Sequence, residues 1–144
     1  MKLVIQRVTR ASVLVEGKII SEIGNGFLIL LGIGKEDSEG AVRKMAEKIV
    51  KLRIMSDSED KMNKSILDVS GEILVVSQFT LLADTTGGNR PSFINAALPE
   101  KAKELYELFI EELKRLGVKK VEMGKFGTYM EVSLVNYGPV TIVL

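Results

Sequence analysis

A single mixed α/β domain is the fold class that this chain predicts, and two changes of hydrophobic period together with one absence predict it. Apolar residues alternate in the strand manner up to Gly34, recur at helical spacing after Ser38, and return to strand-like runs at residues 72–79 and again at the end of the chain. No proline-rich linker, internal repeat or low-complexity segment separates these parts, so residues 1–144 read as one compact domain. At that length a chain buries a proper core.

The elements follow in order. In "KLVIQRV" and "ASVLVEG" β-branched residues alternate with polar ones. Val13 and Val15 fall on one face, with Ser12, Leu14 and Glu16 on the other. A turn at "EGK" leads into "IISEIG", and "GNG" precedes "FLILLGIG", the continuous apolar run of a strand buried on both faces. Val42, Met45, Ala46, Ile49 and Val50 then mark a helix whose start is flanked by Asp37 and Glu39. A polar loop is expected to about Ser70, followed by the buried strand "EILVVSQF" and a Gly-, Thr- and Asn-rich surface loop at 83–95. Pro99 opens a second helix with Ala102, Leu105, Tyr106, Phe109, Leu113 and Leu116 as its stripe and Gly117 as its stop. "GTYMEVSLVN" and "PVTIVL" complete a β-β-β-α-β-α-β-β order.

Composition excludes several chemistries. The chain has no Cys and no His, which removes disulfides, thiolate nucleophiles, the usual zinc sites and the commonest general base. A Ser or Thr nucleophile would therefore lack its usual activator. The net charge of +1 offers no bulk attraction for a nucleic-acid duplex, although it leaves room for contact with an RNA end. No carboxylate pair has glycosidase-like spacing, and neither GxxxxGK[ST] nor GxGxxG occurs. The N-terminal stretch interleaves charged and apolar residues, unlike a signal peptide, and the longest apolar run is too short to span a bilayer. These features, with the absence of cysteine, set the expectation of a cytoplasmic protein.

Three segments depart from plain scaffold. "SQFTLL", from Ser77, ends the most apolar strand in polar side chains. As a strand it would point Ser77 and Phe79 one way and Gln78 and Thr80 the other, either meeting water or lining a strand-end pocket. "GGNRPSF" supplies a cation on flexible backbone, and "KFGTYM" sets Phe126 and Met130 near a glycine, as a core corner or as a platform for a base. Then "VNYGPVTIVL" puts Gly138-Pro139 between two runs of strand formers, where proline cannot serve an interior ladder. A tight turn over Asn136–Pro139 is the ordinary reading. A backbone fixture aimed at a ligand or partner is the other.

Together, "QRV" (Gln6–Val8), "ASV" (Ala11–Val13), "KMNKSILDV" (Lys61–Val69), "SQFTL" (Ser77–Leu81), "RPSF" (Arg90–Phe93), "FG" with Met130 downstream, and "NYGPVT" (Asn136–Thr141) resemble the D-aminoacyl-tRNA deacylase family over the whole length. The resemblance implies a layered β/β/α fold and hydrolysis of the ester joining a D-amino acid to the 3′-terminal adenosine of tRNA, without cofactor or metal. It implies a homodimer in which Gly138-Pro139, joined by a cis bond, projects into the partner's pocket and excludes L side chains. Glycyl-tRNA, which has no side chain to reject, is implied as a further substrate. Ser77, Gln78, Phe79 and Thr80 are then the reaction pocket, with backbone amides holding the carbonyl oxygen and the ribose 2′-hydroxyl taking part. Phe126 and Met130 hold the adenine, Arg7 anchors the gate, and Asn136 and Thr141 flank it. Tyr137 stands where the family commonly has a smaller acidic residue, and the 83–93 loop is less basic than the family pattern. The competing class is a dimeric module that binds nucleic-acid ends without turnover.

Overall fold

A computed structural model describes residues 1–144. Strand β1 (Lys2–Val15) is the longest element and the organiser of the sheet. One of its edges pairs with the last strand, β8 (Glu131–Val143), from Val4↔Val143 to Leu14↔Glu131. Its other edge is shared: Lys2–Val8 pair with β3 (Gly26–Gly32), and Ala11–Val15 with β2 (Lys18–Ile23). Leu3, Ile5 and Arg7 are buried on one face; beyond Thr9 and Arg10 the buried set becomes Ala11, Val13 and Val15. These stay on odd numbers, yet they pack with Val8 and not with Leu3 and Ile5. The strand therefore turns over at Thr9–Arg10, where its pairing with β8 is also irregular.

Strand β3 continues the sheet through parallel pairing to β6 (Glu72–Ser77), which is parallel in turn to β7 (Val121–Met123). Parallel neighbours need long crossovers. Helix α1 (Glu39–Lys51) lies in the first and α2 (Pro99–Arg115) in the second. Ser38 caps α1 by accepting from the Ala41 amide, and Pro99 occupies the first turn of α2. Both helices cover one face of the sheet, where Leu3, Ile5, Phe27, Ile29, Leu31, Ile73 and Val75 meet Val42, Ala46, Ile49, Leu105, Phe109 and Leu113. On the opposite face Leu28, Leu74 and Val76 pack against Val8, Ala11, Val13, Val15 and Ile23. The result is a β/β/α layering with β3 and β6 in the middle, which is why β3 and the interior of β6, Ile73–Val76, are apolar. Buried Glu112 of α2 is bonded by Arg115 and by Arg43 of α1, pinning the helices together.

Three differences from the expected order have local causes. The polar loop after α1 contains a small hairpin, β4 (Met55–Ser56) with β5 (Met62–Lys64). Its turn is held by the Asp57 carboxylate, which accepts from the Glu59 amide (2.8 Å), the Lys61 amide (3.0 Å) and Asn63 Nδ2 (2.7 Å). Those bonds keep the Asp57 pKa below its usual range, that from Asn63 most of all. Strand β7 is too short to show alternation. Finally, the two expected C-terminal strands are one.

Gly26 lets β3 and β6 approach: a Cβ there would lie 1.8 Å from the Glu72 carbonyl oxygen, whereas one at Gly87 meets nothing within 4 Å. Gly26→Ala is expected to destabilise the protein by about 3 kcal/mol or more, and Gly87→Ala by less than about 0.5 kcal/mol. Urea midpoints compare the two, and equal midpoints would contradict the close approach.

Candidate active site

The end of β6 does not continue as a strand. Gln78 donates its amide to the Leu31 carbonyl (2.8 Å), and the chain then coils into a 3₁₀ turn, Phe79–Leu82. The strand geometry behind the expected alternation therefore ends at Ser77, although Gln78 and Thr80 still meet, through a bond from Gln78 Nε2 to Thr80 Oγ1, and Phe79 is 54% exposed. Its ring meets Phe93 edge-on at 4.9 Å between centroids, which docks the "RPSF" segment on the turn. The first bond of the turn runs from the Leu81 amide to the Gln78 carbonyl (3.2 Å). The amides of Phe79 and Thr80 stand ahead of it, with no acceptor inside the turn, and form a pair of donors at the carboxyl end of two parallel strands.

Phe126 and Met130 lie on the segment joining β7 to β8, Phe126 packed against the helix-side core and Met130 against the opposite one. The Gly124 amide bonds the Val75 carbonyl (2.9 Å), and a Cβ at Gly124 would lie 3.6 Å from Val76 Cγ2 and 2.7 Å from Met130 Sδ. Met130 therefore folds across Gly124 beside the last residues of β6. Phe126 leans on Tyr106, rings 5.8 Å apart. The Tyr106 hydroxyl donates to the Val75 carbonyl (2.8 Å) and lies 3.3 Å from that of Gly124, joining α2, β6 and this segment. Burial raises the Tyr106 pKa and keeps it a neutral donor.

The C-terminal segment is not a hairpin. Val8 pairs with Asn136 and Gln6 with Thr141, so Tyr137–Val140 form a bulge in a strand that continues on both sides of it. The Gly138-Pro139 bond is cis, and Gly138 has φ 128°, a conformation that favours glycine. Both residues are exposed. Asn136 and Thr141 bracket the bulge as its last paired neighbours.

Arg7 lies beneath the bulge and is 6% exposed. Nε donates to the Tyr137 carbonyl (2.8 Å), and Nη1 donates to the Ile54 carbonyl (2.9 Å) and Ser56 Oγ (3.2 Å). The Tyr137 ring covers the guanidinium, 4.9 Å from its carbon to the centroid. Arg7 makes no ion pair; carbonyls, a hydroxyl and a ring satisfy it. The role of Tyr137 in this clasp was not visible in the sequence, because residues 130 positions apart share no local signal.

No group of three or more His, Cys, Asp or Glu side chains converges anywhere in the molecule, and no helix is long and apolar enough to cross a membrane.

The family model described as D-Tyr-tRNA(Tyr) deacylase matches residues 4–144. The chain belongs to the D-aminoacyl-tRNA deacylase family. Curated members include a D-aminoacyl-tRNA deacylase of Thermosipho melanesiensis, 52% identical over all of this chain and 96% of its own length. That of Roseiflexus castenholzii is 56% identical over all of this chain and 91% of its own. Among solved structures, one named c-Myc DNA Unwinding Element Binding Protein superposes with TM-score 0.94 at 46% identity, covering 100% of this chain and 97% of that one. A probable eukaryotic D-amino acid tRNA deacylase shares the fold, with TM-score 0.86 at 17% identity over 99% and 97%.

Arg7 bonds the bulge to β1 and to the β4 hairpin. Arg7→Ala strands two carbonyls and is expected to lose about 3 kcal/mol. Arg7→Lys, lacking the planar fork, is expected to recover less than half of that. Thermal and urea unfolding measure both, and a fully stable Arg7→Ala would show that the bulge holds itself.

Proposed function

We propose that the chain, acting as one domain over residues 1–144, hydrolyses D-aminoacyl-tRNA and glycyl-tRNA and spares L-aminoacyl-tRNA. The observation that carries this reading is full-length identity above 50% to relatives named D-aminoacyl-tRNA deacylase. In the reaction, water adds to the ester carbonyl. The bond to the ribose oxygen breaks, the tRNA recovers its terminal hydroxyl, and the D-amino acid leaves as the free acid. The Phe79 and Thr80 amides suit the oxyanion that forms on the carbonyl oxygen, because backbone donors held by a turn need no reorganisation. The RNA's own 2′-hydroxyl, which the family resemblance implies takes part, assists the attack, and the absence of His and Cys is consistent with that. Ser77 and Gln78 shape the pocket, Thr80 positions, and Phe126 with Met130 receives the adenine.

Chirality is assigned to Gly138-Pro139. A backbone wall at the α-carbon excludes every L side chain by sterics, whatever its chemistry, and lets hydrogen pass. The geometry favours a wall delivered by a second copy. Ser77 is level with Leu31 and Leu3, whereas the bulge is level with Gln6–Val8 and three strands away. From strand spacing and rise the two lie roughly 20 Å apart in one chain. The exposed bulge therefore serves its partner's pocket, in a homodimer.

A second reading, binding of nucleic-acid ends without turnover, draws on the name borne by the 46% identical structure. Incubation with D-tyrosyl-, L-tyrosyl- and glycyl-tRNA separates the two: release of D-tyrosine and glycine at catalytic protein concentration is expected, and retention of all three esters would favour the binder. Thr80→Ala is expected to keep at least about a tenth of the rate, since it leaves the backbone amide in place. An aminoacyl adduct trapped on Thr80 would refute the positioning role.

Sedimentation is expected to give twice the 15.9 kDa chain mass. Gly138→Ala, whose Cβ would lie 2.9 Å from Arg7 Nη2 and from Val140 Cγ2, is expected to lower the D-over-L rate ratio at least about tenfold, a change of about 1.4 kcal/mol. A fully selective monomer would overturn the cross-subunit wall.

A further inference from the structure

The segment Gly124–Met130 carries more than Phe126 and Met130. Lys125 and Tyr129 both project into solvent, and the Tyr129 ring is 100% exposed. An open aromatic side chain is ordinary on a mobile loop, but this one sits on a stapled turn. Gly124 is bonded through its amide to Val75 and has its carbonyl beside the Tyr106 hydroxyl. Thr128 Oγ1 donates to the Lys125 carbonyl (2.9 Å), and Gly127 takes the left-handed conformation at φ 73°. Met130 folds back over Gly124. A fixed turn thus holds an ammonium and an uncovered ring on either side of the half-buried Phe126 in sequence, on a segment anchored to β6 through Gly124. Tyr137, the other exposed tyrosine, differs in having its ring committed to Arg7.

A cation beside an exposed ring on a rigid platform is the pairing by which proteins hold single-stranded nucleic acid. The ring stacks on a base of any identity, and the cation meets the adjoining phosphate. We propose that Tyr129 stacks on the unpaired base immediately upstream of the terminal adenosine, and that Lys125 contacts the phosphate between the two nucleotides. The inference rests on the deacylase reading, because that reading seats the terminal adenosine on Phe126 and Met130. It adds a binding position that selects an RNA end over a free aminoacyl ester.

Two substrates test it: D-tyrosyl-tRNA, and D-tyrosyl-adenosine, which lacks the upstream nucleotide. Tyr129→Ala is expected to raise KM for D-tyrosyl-tRNA about 5- to 50-fold, with kcat within about twofold and D-tyrosyl-adenosine unaffected; Tyr129→Phe restores the original KM. Lys125→Ala is expected to flatten the dependence of log KM on log salt by about 0.7. Equal effects of Tyr129→Ala on both substrates, or none on the tRNA, overturn the proposal. So does a shift of Tyr129→Ala from dimer to monomer in sedimentation, which would put the ring between copies. Fluorescence anisotropy with uncharged tRNA reads the same contact without turnover. A wild-type protein that binds tRNA through Tyr129 yet hydrolyses neither ester would refute the deacylase reading alone, and unchanged anisotropy for Tyr129→Ala would refute the contact alone.

Discussion

Strand β1 has both edges hydrogen-bonded along most of its length, and the rest of the molecule hangs on that constraint. A strand with β8 on one side and β3 and β2 in succession on the other has no free edge to slip along. Its turnover at Thr9–Arg10 then commits its two halves to different cores. The first half lies against the helices and the second folds over the opposite face of β3 and β6. Because β3 is registered on β1 and β6 on β3, the place where β6 ends, and with it the 3₁₀ turn at Phe79, is set from β1 outward.

The same strand sets the other end of the proposed site. Arg7 sits one residue before Val8, the last β1 residue paired with β8 ahead of the turnover, and its side chain reaches β8 on one side and the β4 hairpin on the other. A buried guanidinium without a carboxylate is tolerable only when carbonyls and hydroxyls replace lost water. Here those acceptors belong to segments far apart in the chain. The charge that must be satisfied is what joins them, and Tyr137 covers the face that remains.

The chain has neither His nor Cys, and the proposed site is correspondingly built with little side-chain chemistry. What the strand ends and the bulge present is mainly backbone: two amides ahead of a turn, and a Gly-Pro element pushed out of a strand. Backbone groups are placed by the register of the sheet, so the core and the proposed site are specified by the same hydrogen bonds. Small changes in packing between β3 and β6 would be felt at the Phe79 turn sooner than on the helical layer.

Some of this was written in local sequence. The two helices, the apolar central strands and the start of α2 at Pro99 follow from period and end chemistry, which act over three to seven residues. The motifs "SQFT" and "NYGPVT" carried the resemblance to the family. Other features depended on tertiary contact. Strand β7 and the β4–β5 hairpin are too short to carry a period and exist because a neighbouring edge or a side chain such as Arg7 or Asp57 satisfies them. Whether Gly138-Pro139 makes a turn or a bulge was undecidable locally, since both suit the same residues. The structure decides for the bulge because β1 offers partners on both sides of it, at Val8 and at Gln6, and a strand paired at both ends cannot reverse between them.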